Sequence, residues 1–185
     1  MRLFVGIDLD ENLKGKVLEI QKELEPLCKF ADLRLVERKN FHLTLKFLGD
    51  VQDNTVTEIS ERIKNTAENN QSFKISLSGL SFFGSGANIR VIFLSLAEGR
   101  EKVIELERNL NQKLEDIRKE DFDPHPHLTL ARVGFVLDRN KVVEKLKEME
   151  KIEVGEMYVK EIKLFQSTLT KNGPGYSVVR SYDLK

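Results

Sequence analysis

The pattern of apolar and polar positions runs through one series of periods and then repeats it. Residues 2–8 form an apolar run that reads as a strand. Residues 11–28 carry Leu13, Val17, Ile20, Leu24 and Leu27 at helical spacing, which predicts an amphipathic helix. A short strand at 33–36 and a second at 41–47 follow. Asp53 reads as the N-cap of a helix that buries Val56, Ile59, Ile63 and Ala67, and 73–82 return as a strand. The second half has the same order: a strand at 89–96, a helix at 99–118 with Val103, Leu106, Leu110, Leu114 and Ile117 inward, a strand at 127–133, and a helix at 139–149 with Val142, Leu146 and Met149 inward. Two further strands, about 156–169 and 176–183, flank a turn at Asn172-Gly173-Pro174-Gly175.

The repetition is also literal. Residues 2–20 and 90–108 each run from an arginine through an apolar strand and an acidic turn into an amphipathic helix. HLTLKFLG at 42–49 and HLTLARVG at 127–134 agree at five of eight positions. The chain therefore reads as two copies of one unit, roughly 1–86 and 87–185, joined near Gly84 to Asn88 within a single bilobal domain. The segment Ser81 to Gly86 reads as a tight connection between strands, and no glycine-rich stretch has phosphate-loop spacing. The expected architecture is α+β: two antiparallel sheets related by a pseudo-two-fold axis, helices on the outside, and a central cleft.

Composition narrows the options. The chain has 185 residues, with 30 Lys+Arg balanced by 30 Asp+Glu, so no global field draws in nucleic acid and any such partner must be held by a local site. A lone Cys28 excludes a disulfide framework and fits a reducing cytosol. No apolar stretch approaches the roughly 20 residues needed to span a bilayer. The opening segment has no signal-peptide layout, so a cytoplasmic, monomeric protein is expected.

There are three histidines, and the repeated tetrapeptide uses two of them. Side chains alternate along a strand, so Leu43, Leu45, Leu128 and Leu130 enter the core while His42, Thr44, His127 and Thr129 share the opposite face. A duplication kept for packing alone has no reason to retain the second set. Two imidazoles around one volume suit phosphoryl transfer without a metal: a neutral ring takes a proton from the nucleophile and a protonated ring gives one to the leaving oxygen. The threonine hydroxyls can donate to non-bridging phosphate oxygens.

These segments resemble the two-histidine phosphoesterase superfamily, whose signature is a pair of His-x-[Thr/Ser]-x motifs. They look most like its RNA 2',3'-cyclic phosphodiesterase branch, the bacterial and archaeal 2'-5' RNA ligase family. Asn40 to Gly49 is similar to that branch's first motif and Pro126 to Arg132 to its second. Arg2 to Ile7 and the closing hairpin, Leu164 to Ser167 with Gly175-Tyr176, also fit. The resemblance implies an enzyme without cofactor that opens a 2',3'-cyclic phosphate on an RNA end or nucleotide to a 2'-phosphate. His42 would protonate the 3'-oxygen, His127 would activate water, Thr44 and Thr129 would hold the phosphate, and Phe47 and Arg132 would sandwich the base. Run in reverse, such a site would join a cyclic phosphate to a 5'-hydroxyl. Strict alternation carries Phe47 and Arg132 to the face away from the histidines, so a strand end or bulge is required to re-aim them.

Other readings stay open. His125, His127 and His42 could form a three-histidine zinc site. The chain could be a nucleotide-binding module without catalysis. Lys46, Arg90, Lys171 and Arg180 could line a path for RNA, or be ordinary solvated charges.

Overall fold

A computed structural model describes residues 1–85, 88–120, 123–170 and 173–185. Strand β1 (Arg2–Asp8) leads into helix α1 (Glu11–Lys22), then β2 (Ala31–Leu35), β3 (His42–Asp50), α2 (Val56–Glu68) and β4 (Phe73–Ser85). The second series is β5 (Asn88–Glu98), α3 (Arg100–Lys113), β6 (His127–Val136), α4 (Arg139–Glu148), β7 (Glu153–Val159), β8 (Glu161–Thr170) and β9 (Gly173–Asp183). The hairpin between β4 and β5 falls where the two units were expected to join; Gly86 and Ala87 lie outside the described residues, as do Lys171 and Asn172 of the closing turn. No helix is long and apolar enough to cross a membrane among the described residues.

The strands are antiparallel and ordered β7-β4-β5-β6-β3-β1-β8-β9, with β2 added beside β6. Two halves meet at β3 and β6, where Leu43 opposite Leu128 is the registered pair. One half is β3-β1-β8-β9, the other β6-β5-β4-β7. Each half therefore takes strands from both sequence repeats: β4, from the first repeat, pairs with β5, and β8, from the second, pairs with β1. The core between sheet and helices is aliphatic, with Leu13, Val17, Ile59, Ile63, Val103, Leu110, Leu43 and Leu128 fully enclosed.

Several elements differ from the sequence expectation, each for a local reason. The first helix stops at Lys22 and gives way to a 3-10 turn over Glu25–Lys29, because Pro26 has no N–H to continue the ladder and disfavours helix at the residue before it. Its N-terminus is capped by Asp10, whose carboxylate accepts from Leu13 N at 2.7 Å. Asp53 is not a cap: Asp53–Thr55 form a 3-10 turn and α2 begins at Val56 with no side-chain cap bond. The helix expected to reach residue 118 ends at Lys113, although Leu114 remains buried. The strand read as 156–169 is two strands broken at Lys160, and the break matters, since β7 pairs with β4 and β8 with β1, on opposite sides of the sheet.

Candidate active site

The motif strands lie where the two halves meet. Along β3, His42 and Thr44 are half-buried and Leu43 and Leu45 enclosed; β6 has the same pattern at His127, Thr129, Leu128 and Leu130. The next step departs from alternation. Val5 of β1 is opposite Lys46 and Gly6 opposite Thr44, so Leu45 is skipped. Ile92 of β5 is opposite Ala131 and Phe93 opposite Thr129, so Leu130 is skipped. These are matched β-bulges, each placing two consecutive residues inward: Leu45 with Lys46, and Leu130 with Ala131. The phase beyond is inverted, so Phe47, 50% exposed, and Arg132 emerge from the core. A bulge leaves ladder groups needing partners, and Gln21 supplies one: its buried Nε2 donates to Leu130 O at 2.9 Å and to Val36 O at 2.8 Å.

Both imidazoles are held in the same way. His42 Nδ1 is 2.7 Å from Asn40 O and His127 Nδ1 is 2.7 Å from His125 O. A carbonyl oxygen only accepts, so each Nδ1 carries a proton and each Nε2 is the working nitrogen. His42 Nε2 lies 3.1 Å from Thr44 Oγ1. Burial pushes both histidines below their ordinary pKa of 6.5. The hydrogen bond to Asn40 and the Asp8 carboxylate oppose that shift at His42, while His127 and Arg132 add to it. At His127 the bond to His125 opposes it, and the His125 ring and Arg132 add to it. His127 and Arg132 are thus near enough for their charge to bear on His42, as the pairing of Leu43 with Leu128 beside the two histidines requires.

Each ring rests on aromatic neighbours that the pattern of the chain did not single out. His42 packs against Phe4 (4.9 Å), Tyr176 (5.1 Å, edge-on) and Phe165 (6.0 Å). His127 packs against Phe83 (4.8 Å, edge-on) and Phe93 (5.2 Å). Gly6 keeps the first site open, since a Cβ there would lie 2.7 Å from Leu43 O and 3.6 Å from the His42 ring.

Two clefts adjoin the histidines. One, about 180 Å³, is lined by Thr44, Phe47 and His127 together with Glu107, Glu120 and Asp123. The other, about 440 Å³, is lined by Phe47 and Arg132 with Arg2, Arg118, Phe4 and Tyr176. Phe47 is thus the ridge between them, and it shares the larger cleft with Arg132. Thr129 stands beside His127 on its strand face, opposite Phe93. Two charged groups escaped the sequence pattern. Lys46 is not a solvated charge: it lies in the wall of the smaller cleft, 3% exposed, and its ammonium donates to Asn111 Oδ1 at 2.5 Å, Arg118 O at 2.7 Å and Glu120 at 3.4 Å. Glu107, four residues before Asn111 on α3, is 8% exposed, and burial pushes its carboxyl up to about 7 against the pull of Arg100. Arg180 donates to Ser60 Oγ of α2 at 2.9 Å, which turns it away from the cleft. Arg90 is exposed, and Lys171 lies outside the described residues. The three-histidine zinc arrangement is not formed: His125 packs edge-on against Phe83, and among the described residues no group of three or more metal-ligating side chains stands together.

A family model described as LigT like Phosphoesterase matches the chain twice, over residues 7–93 and 94–176. The chain belongs to the LigT-like phosphoesterase family. A relative from Methanothermobacter thermautotrophicus, named RNA 2',3'-cyclic phosphodiesterase, is 35% identical over all of this chain and 99% of its own. The fold is that of a solved Thermus thermophilus protein, at 27% identity and a TM-score of 0.82, covering 100% of this chain and 98% of that one. Escherichia coli LigT, solved in complex with 3'-AMP, has the same fold at 21% identity and a TM-score of 0.78, covering 99% of this phosphoesterase and 97% of its own chain.

Proposed function

We propose that this phosphoesterase opens the 2',3'-cyclic phosphate at an RNA end, or on a nucleotide, to a 2'-phosphate without a metal ion. The observation that carries the reading is the paired clamp: two imidazoles, each with Nδ1–H tied to a backbone carbonyl so that Nε2 is left to meet the substrate, with Thr44 Oγ1 beside it in His42, at the meeting of two half-sheets. The attacking water gives its proton to His127 Nε2 as its oxygen bonds to phosphorus. The bond from phosphorus to the 3'-oxygen breaks, and His42 Nε2 delivers a proton to that oxygen. Burial favours the neutral form of both rings in the free protein, and the anionic phosphate, by favouring an imidazolium beside it, brings in the proton that His42 needs. Thr44 and Thr129 donate to the non-bridging oxygens. The base lies between the Phe47 ring and the Arg132 guanidinium, a stack with little sequence preference. A 5'-hydroxyl in place of water would give a 2'-5' linkage by the same proton transfers. The names of the relatives and the 3'-AMP complex of Escherichia coli LigT support this reading.

Hydrolysis of a nucleoside 2',3'-cyclic phosphate in excess EDTA, with the product isomer identified, tests it. The expected product is the 2'-phosphate, with losses of about 10²–10⁴-fold for His42→Ala and for His127→Ala. A 3'-phosphate would overturn the leaving-group assignment. Nucleotide binding without turnover would make the protein a binding module.

A further inference from the structure

A cavity of about 460 Å³ outside the histidine clefts sits between α4 and the part of β4 that β7 does not cover. It exists because of Gly79. This residue has φ +67°, and a Cβ there would lie 2.6 Å from Glu150 O, so only glycine lets the end of α4 close on the bulged strand. The lining is chemically mixed: the Phe82 ring, the Ser78, Ser81 and Ser95 hydroxyls, the Lys147 ammonium and the Glu150 carboxylate. The three serines are half-buried, and among the described residues none of these hydroxyls has a hydrogen-bond partner and Lys147 has no ion-pair partner. The cavity is also connected to the site by register. His127 of β6 is opposite Ser95 of β5, and Ser95 is opposite Ser78 of β4. Residues opposite one another in an antiparallel sheet share a face, so this row carries the floor of the site outward by two strand spacings, about 10 Å.

We propose that this cavity is a second nucleotide subsite, which seats the nucleotide preceding the cyclised end and makes the substrate an RNA chain rather than a free cyclic nucleotide. The inference rests on the phosphodiesterase reading above. With the terminal base in the Phe47–Arg132 cleft, the chain must leave on the other side of the phosphate. The smaller cleft there presents Glu107, Glu120 and Asp123, and the Lys46 ammonium in its wall is already taken up by Asn111 Oδ1, Arg118 O and Glu120, which leaves it little to offer a backbone phosphate. The route across Ser95 and Ser78 leads instead to an unpaired ammonium. Lys147 and the serines hold the backbone phosphate, Phe82 stacks on the base, and Glu150 accepts from a 2'-hydroxyl, the group that separates RNA from DNA.

The experiment compares kcat/KM for a cyclic mononucleotide with that for a short oligoribonucleotide ending in a 2',3'-cyclic phosphate, in the wild type, Lys147→Glu and Phe82→Ala. The wild type is expected to prefer the oligonucleotide by at least about tenfold, and each variant to lose most of that preference. Mononucleotide turnover should stay within about twofold, which also shows that the variants fold. Replacing the penultimate ribose by deoxyribose should lower the wild-type preference. An unchanged oligonucleotide-to-mononucleotide ratio in both variants, or a wild type indifferent to chain length, overturns the subsite and leaves the phosphodiesterase reading in place. A wild type inactive on both substrates overturns both.

Discussion

His42 stands opposite Asp8 in the sheet, whereas His127 stands opposite Ser95. The two halves share a tetrapeptide, a bulge and an Nδ1 clamp, yet they surround their imidazoles with different charges. Asp8 favours a proton on His42, although its carboxylate is shared with Lys14 at 2.8 Å and Lys163 at 3.0 Å. At His127 the charges of the His125 ring and Arg132 disfavour a proton, and only the hydrogen bond to His125 O favours one among the described residues. A near-symmetric fold thus supplies two equivalent positions whose neighbours on β1 and β5 differ. We propose that these neighbours, rather than the motif itself, divide the roles of acid and base between His42 and His127.

The largest effect that separates the halves should come from the leaving group. On a phosphodiester with a nitrophenyl leaving group, which departs without a proton, His42→Ala should regain most of the roughly 10²–10⁴-fold it loses on a cyclic phosphate, while His127→Ala should not. Equal recovery by the two variants in a steady-state assay would erase the assignment. A smaller effect concerns the arms reached through the bulges. Phe47→Ala and Arg132→Ala should each weaken binding of a cyclic nucleotide by about tenfold, read as KM, with a lesser change in kcat. A loss confined to kcat would place these residues at the phosphate instead of the base. The smallest effect tests the neighbours. Burial lowers both histidines, so the bell-shaped profile of kcat/KM should lie on the acid side of 6.5. Asp8→Asn should lower His42 further and draw the alkaline limb to lower pH; Ser95→Asp should raise His127 and push the acid limb to higher pH, each by about half to one unit. Both substitutions narrow the bell if His42 is the acid. If the roles were exchanged, both would broaden it.

The chain announced most of this site but little of how it is supported. The two motifs, their core-facing leucines and the order of elements were legible because period and repetition are local properties. Phe47 and Arg132 were legible only on condition of a bulge, since the skipped Leu45 and Leu130 are defined by partners on β1 and β5, far away in sequence. Lys46 read as a surface charge because nothing nearby shows that Asn111, Arg118 and Glu120 will converge on its ammonium. Glu107 was hidden for the same reason: one turn of α3 faces the cleft instead of water. The aromatic beds of Phe4, Phe165 and Tyr176 on one side and Phe83 and Phe93 on the other come from strands that only the sheet order assembles.

The exchange of strands between repeats has a consequence for how the molecule is made. Among these strands β1 comes first in sequence, and it lies between β3 and β8; Val5 has Lys46 on one side and Leu164 on the other. Its second neighbour is therefore absent until residues 163–166 have been translated. Such long-range closure raises contact order and slows folding, and until it happens the early half exposes an open strand edge to anything else in the cell. The duplication that supplies two histidines also delays the moment at which the nascent chain can finish its first half-sheet.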